Sequence, residues 1–127
     1  MQAQRVRMDV SATNLANARS NYGGPYQRRR VFFETMLNDA VAGGANNFRG
    51  IGVQVAEISL DDKTPFNVIF EPENPLADEQ GYVYFPNVSA EIEMLDMMDA
   101  SRAYEANAAA FRMTREMMQR AIELGRV

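Results

Sequence analysis

The chain has 127 residues, a net charge of −4, a hydrophobic fraction of 46% and neither cysteine nor histidine. The length suits one domain, or a small domain with an extended element attached. Without cysteine there is no disulfide, thiolate nucleophile or zinc thiolate site, and without histidine the commonest general base and metal ligand is gone.

Residues 2–19 (QAQRVRMDVSATNLANAR) predict a helix, with Met1, Met8, Ala12 and Leu15 on one face and Ala3, Val6 and Val10 close by. It is too short to be stable alone, and two stripes compete as its packing face. It opens mid-stripe with no capping residue, so the native protein is expected to begin upstream of Met1. Ser20-Asn21-Tyr22-Gly23-Gly24-Pro25 then breaks the helix.

Residues 26–88 predict a small β-rich insert. Tyr26–Glu34 suits a strand, in which Arg28-Arg29-Arg30 reads as a solvated edge or an ion-pair row rather than a phosphate patch. Thr35–Val41 is expected to form one or two helical turns, and residues 42–50 a loop. Ile51–Leu60 alternates Ile51, Val53 and Val55 against Gly52, Gln54 and Ala56, as a half-buried strand does. Residues 66–70 form a further strand, 71–81 a loop, and Tyr82–Phe85 the last strand. The loop acids Glu71, Glu73, Asp78 and Glu79 lack the spacing of a calcium loop, and two prolines lie among them.

From Val88 to Leu124 there is no proline and no glycine. One helix over that span would be about 55 Å long at ~1.5 Å per residue. Asn87 is expected to cap its start and Gly125 to close it in a left-handed conformation. Glu91, Glu93, Asp96 and Asp99 sit near its positive end and Arg112, Arg115, Arg120 and Arg126 near its negative end. Its apolar residues recur at a coiled-coil spacing. Ala90, Met97, Tyr104, Phe111 and Met118 share one heptad position, and Met94, Ser101, Ala108, Arg115 and Ile122 share its companion. Ala103, Ala106, Ala108, Ala109 and Ala110 keep the middle slim. Such a stripe needs a partner helix. The methionines of this segment read as adaptable packing rather than a soft-metal site.

Charge divides the chain in three. Residues 1–30 carry +5, residues 31–100 carry −11 and residues 101–127 carry +2. An acidic middle argues against nucleic-acid binding; the asymmetry is either chance, or the mark of terminal segments that share one environment or of subunits that attract head to middle. No apolar run approaches a membrane span, and no secretory h-region opens the chain. No serine has a base partner, so the residues offer no enzyme chemistry, no cofactor or metal site and no small-molecule substrate.

Several segments, in this order, resemble the flagellar rod and hook axial protein family, and the proximal rod subunits within it. They are Asn14-Leu15-Ala16-Asn17-Ala18, the Gly23-Gly24-Pro25-Tyr26 turn, GVQVAEI at 52–58, PENPLADEQGYVYFPNV at 72–88 and Ser101-Arg102-Ala103-Tyr104-Glu105-Ala106-Asn107. The likeness covers essentially the whole chain. It implies an α+β fold in which long N- and C-terminal helices pair as a coiled coil. Residues 1–20 plus 88–127 would form the core-tube domain, and 21–87 an outward β-rich insert making lateral contacts. It implies a structural subunit of the basal-body rod, spanning the periplasm and exported through the flagellar type III apparatus without a cleaved signal peptide. Its partners would be other rod proteins, copies of itself and the export apparatus. Met8, Asn14, Leu15, Asn17, Met94, Met97, Arg102, Tyr104, Asn107, Ala108, Phe111, Met118 and Ile122 are the expected assembly surface. In the family the N-terminal helix extends upstream of Met1, and Lys is more frequent where Arg115 stands. Two other readings are a cytoplasmic coiled-coil adaptor and a type III-secreted effector.

Overall fold

The computed structural model describes residues 1–21, 24–36 and 52–125. The chain is α+β, with helix α1 (Gln2–Ala16), strands β1 (Arg29–Met36), β2 (Gly52–Leu60), β3 (Asn67–Phe70) and β4 (Tyr82–Phe85), and helix α2 (Ala90–Leu124). The strands form two separate antiparallel hairpins, β1–β2 and β3–β4. The expected loop at 42–50, most of the expected helical turns at 35–41, the Tyr22-Gly23 break and Arg126 lie outside the described residues. Thr35 and Met36 do not start a helix; they extend β1, pairing with Val53 and Gly52.

Helix α1 runs antiparallel to the first half of α2, since Arg7 reaches Asp96 while Asn14 reaches Glu93. Its other side meets the first hairpin, where Gln2, Ala3 and Val6 line a cleft with Val53, Gln54 and Val55. The helix stops at Asn17, whose amide N–H bonds the Thr13 and Asn14 carbonyls and whose side chain donates to the Thr13 carbonyl at 2.8 Å. In β1–β2 the register slips between Phe32 and Phe33, which pair with Glu57 and Val55, so Ala56 is the extra residue of a bulge. The alternation expected for β2 is only weakly expressed in burial, because Val53 is 58% exposed. A two-stranded ribbon offers cover on one side at most.

The second hairpin is organised by its connection. Gly81 has φ +84°, and a Cβ there would stand 3.0 Å from Phe70 Cε2 and 3.2 Å from Pro72 Cβ. A side chain is therefore excluded both by backbone conformation and by space. Asp78 accepts from the Gln80 and Tyr82 amides, and Asn74 from the Leu76 amide, so the loop's polar residues satisfy its own backbone. Ile69 and Val83 share one face of this hairpin, where Val83 is buried; Val68, Phe70, Tyr82 and Tyr84 share the other, which is open.

Helix α2 departs from the sequence reading in three ways. Ser89, not Asn87, is the N-cap residue, and Asn87 is drawn away to brace the insert. Gly125 is right-handed, with φ −81°, so the helix ends without the expected left-handed cap. The face turned toward α1 is centred on Glu93 and Ala100, both buried, whereas Met94 is 49% exposed. The inward stripe is thus rotated by one residue from the expected Met94–Ser101 companion position. Apolarity alone points to Met94; the burial of Glu93 depends on partners from distant parts of the chain.

Among the described residues, Ala3, Val83 and Ala100 are the buried hydrophobic side chains, with Pro86 buried beside the last strand. The described residues therefore give little apolar surface to a core of their own.

Candidate assembly site

Two regions stand out: a buried polar hub that sets the shape of the subunit, and a bare helix beyond it.

The hub is built from residues far apart in sequence. Asn14 is 1% exposed and makes four hydrogen bonds. Its Nδ2 donates to the Arg29 carbonyl at 2.8 Å and to Glu93 Oε2 at 3.1 Å. Its Oδ1 accepts from the Tyr26 hydroxyl and the Arg29 amide, both at 3.0 Å. Asparagine suits this position because one side chain supplies two donors and an acceptor with two lone pairs. Glu93 receives the Arg28 Nε at 2.6 Å on its other oxygen. Asp96 receives Arg7 at 2.5 Å and Arg28 at 3.5 Å. Arg28 thus joins two successive turns of α2 to the segment that leads into β1.

A second buried group continues the network. Asn87 Oδ1 accepts from the Arg28 amide at 2.7 Å, and its Nδ2 donates to the carbonyls of Asp61 and Thr64 at 3.1 and 2.9 Å. Asp61 is 3% exposed and accepts from the Lys63 and Thr64 amides and the Thr64 hydroxyl. Burial by itself would raise its carboxyl; those hydrogen bonds, with the positive charge of Arg30, outweigh it and hold the group below the usual carboxylate range. Burial beside Glu93 pushes the Tyr26 phenol up, against the opposing charge of Arg29. Every charge buried here is paired, which is the condition for tolerating it.

Beyond the hub α2 runs free. Every residue from Ala110 to Gly125 is exposed, including Phe111 at 68%, Met118 at 62% and Ile122 at 65%. Tyr104 is 37% exposed, and Arg102 and Asn107 also face outward; Ala108 and Met97 are half-buried. Met8 and Leu15 of α1, and Asn17 at its C-terminal cap, are half-buried. The expected surface therefore divides. Asn14 is an internal brace, and Tyr104, Phe111, Met118 and Ile122 form an open stripe at helical spacing.

Sequence reasoning missed Tyr26, Asp61 and Glu93 and assigned Asn87 to the wrong partner. The signal for the hub was the expected ion-pair row at Arg28, which needed acids from outside the strand. No cluster of acids that could hold a metal ion occurs among the described residues. No helix among them is long and apolar enough to cross a membrane.

Residues 79–124 match the family described as flagellar basal body rod FlgEFG protein, C-terminal. The chain is 40% identical to the flagellar basal-body rod protein FlgC of Bacillus subtilis, over 98% of this chain and 90% of that one. It is 39% identical to FlgC of Yersinia enterocolitica, over 98% and 90%, and 42% identical to FlgC of Aquifex aeolicus, over 97% and 87%. These are structural rod proteins rather than enzymes. A slender subunit with a bare helical stripe fits that company, and the chain belongs to the flagellar basal-body rod protein FlgC family.

Proposed function

We propose that this chain builds the rod through its two terminal helical segments, residues 1–20 and 88–127, which pair as a coiled coil and pack on neighbouring subunits. Residues 21–87 form an insert that faces outward and makes lateral contacts. The neighbours are copies of this chain and other rod proteins, and the subunit reaches them through the flagellar export apparatus. The rod they form crosses the periplasm and belongs to the machinery of motility.

The observation that carries this reading is the exposure of the whole distal half of α2. A helix of 35 residues, about 52 Å at ~1.5 Å per residue, is supported by a partner of 15 residues. Tyr104, Phe111, Met118 and Ile122 remain in water. Leaving them so is costly, at roughly 25 cal/mol for each Å² of apolar surface, and covering them supplies the drive for polymerisation. Contacts between different patches of one chain propagate into a helical tube wherever the rotation between successive copies does not close into a ring. The seam set for assembly is Met94, Met97, Arg102, Tyr104, Asn107, Ala108, Phe111, Met118 and Ile122, with Met8 and Leu15 of α1 and its cap residue Asn17 beside it.

The test is complementation. Cells deleted for this gene are expected to lose swimming and to regain it when the gene is restored, with the protein recovered in purified basal bodies. Normal swimming of the deleted cells, or absence of the protein from basal bodies, would overturn the proposal.

A further inference from the structure

We infer that the arginine cleft at the start of β1 receives the acidic β3–β4 loop of a second copy of this chain. This rests on the reading of residues 21–87 as an outward insert that makes lateral contacts, and names the side chains of one such contact.

The cleft opens where the insert meets the helices and has a volume of about 330 Å³. Arg7, Arg28, Arg29 and Arg30 line it, with Glu93 and Asp96. Both acids are already taken, Glu93 by Arg28 and Asp96 by Arg7 and Arg28. Four arginines against two carboxylates leave two positive charges over, and these sit on Arg29 and Arg30. Among the described residues the Arg29 guanidinium has no ion-pair partner. Its main-chain atoms belong to the hub, but its side chain does not. Arg30 has only Asp61 Oδ2, at 3.9 Å, and its side chain is 47% exposed, with the guanidinium 6.0 Å from the centre of the Phe32 ring.

The same chain carries the counterpart. Residues 67–85 contain Glu71, Glu73, Asp78 and Glu79 and no lysine or arginine. Asp78 is engaged by the Gln80 and Tyr82 amides, and Glu71 by the Asn74 side chain. Glu73 and Glu79 are exposed and have no ion-pair partner among the described residues. Two free carboxylates thus match two free guanidinium groups, whose planar fork suits a carboxylate. The loop is already shaped by the Asn74 amide on Glu71, the Ala77 amide on Asn74 and the Gly81 amide on Asp78. Docking it therefore costs little ordering entropy.

The subunit does not use this match on itself. β3 and β4 pack on each other and on no other described helix or strand, whereas the cleft is built from α1, the start of β1 and the start of α2. The loop meets its own chain through Leu76, beside Asn21, Gly24 and Pro25. A first segment of +5 and a middle of −11 favour the same arrangement between copies. Exposed ion pairs add little stability. What this contact supplies is register: it penalises alignments that set like charges together, while the apolar helices supply the drive.

The absence of cysteine makes the test clean. Arg30→Cys and Glu73→Cys are placed on separate copies, co-expressed in cells deleted for the gene, and oxidised within basal bodies. The expected result is a disulfide-linked dimer when both variants are present and none with either alone. Arg29→Cys with Glu79→Cys is an independent second pair. If the pairs enter basal bodies without linking, the inference falls while the rod reading stands. Linking only when both cysteines lie on one copy would also overturn it, because the loop would then fold onto its own cleft. A charge exchange covers the case in which the cysteine variants fail to assemble. Arg29→Glu with Arg30→Glu is expected to abolish swimming, and adding Glu73→Arg and Glu79→Arg to the same gene to restore it. Swimming that survives the first change, or is not restored by the second, would refute the contact. If the unaltered chain is absent from basal bodies, both readings fall together.

Discussion

The Asn14 carboxamide donates to the Glu93 carboxylate at 3.1 Å, although the two residues are 79 positions apart in sequence, and both are 1% exposed. This bond ties the first helix to the last, and the remaining contacts of Asn14 tie both to the start of β1. Replacing Asn14 with Ala leaves the Arg29 amide and one Glu93 oxygen without this partner, at about 1–3 kcal/mol for each buried group left unsatisfied. Asn14→Ala is expected to lower unfolding free energy in urea by more than 2 kcal/mol, on the order of two such groups. Asn14→Asp should be at least as damaging, because it sets a second carboxylate against Glu93 and cannot donate to the Arg29 carbonyl. Wild-type stability in either variant would remove Asn14 from the centre of the hub.

Glu91 and Glu93 lie two residues apart on α2 and should respond oppositely to the same change. Glu93 is buried against Arg28, whereas Glu91 is exposed and receives the Ser89 hydroxyl at 2.8 Å. Glu93→Gln is expected to cost roughly 2 kcal/mol, less than the 3–5 of a fully buried broken pair, because Arg28 keeps Asp96 and Asp61. Glu91→Gln should stay within about 0.5 kcal/mol, as surface substitutions do. Denaturant midpoints measured side by side decide this, and equal effects would refute the assignment of burial.

Phe111→Asp separates folding from assembly. At 68% exposure the side chain supports nothing in the free subunit, so its melting curve should shift by no more than surface scatter, about 0.5 kcal/mol. Swimming should be abolished, because an acid in the middle of the stripe cannot be buried against a neighbour. Motile cells carrying Phe111→Asp would show that the stripe is not a contact.

Acid should loosen the insert through Asp61. Its folded pKa lies below the ordinary value of 3.8, so the native state binds its proton less readily than the unfolded chain does. The stability this supplies is complete above the unfolded pKa and is lost as pH falls through the lowered folded one. Asp61→Asn should flatten the acid limb of a stability–pH profile and lower the plateau near neutrality. An unchanged limb would mean that the Thr64 and Lys63 hydrogen bonds do not favour the charged form.

Local pattern was enough for much of the fold. Tyr82–Phe85 was legible as a strand to the residue, and Val88–Leu124 as one long helix, because β-propensity, helix periodicity and the placement of proline and glycine act over a few neighbouring residues. The apolar spacing of Phe111, Met118 and Ile122 along that helix was legible for the same reason, and all three are exposed. The family likeness of the motifs named the rod, which composition and spacing did not. What tertiary structure alone decided was the fate of the polar residues. Asn87 looks like a helix cap and instead holds Arg28, Asp61 and Thr64 together. Glu93 looks like a solvated acid near a helix start and is instead the most deeply buried charge on α2, with Met94 turned outward in its place. Burying a charge is favourable only when partners arrive from elsewhere in the chain, and which residues arrive is set by how the segments cross.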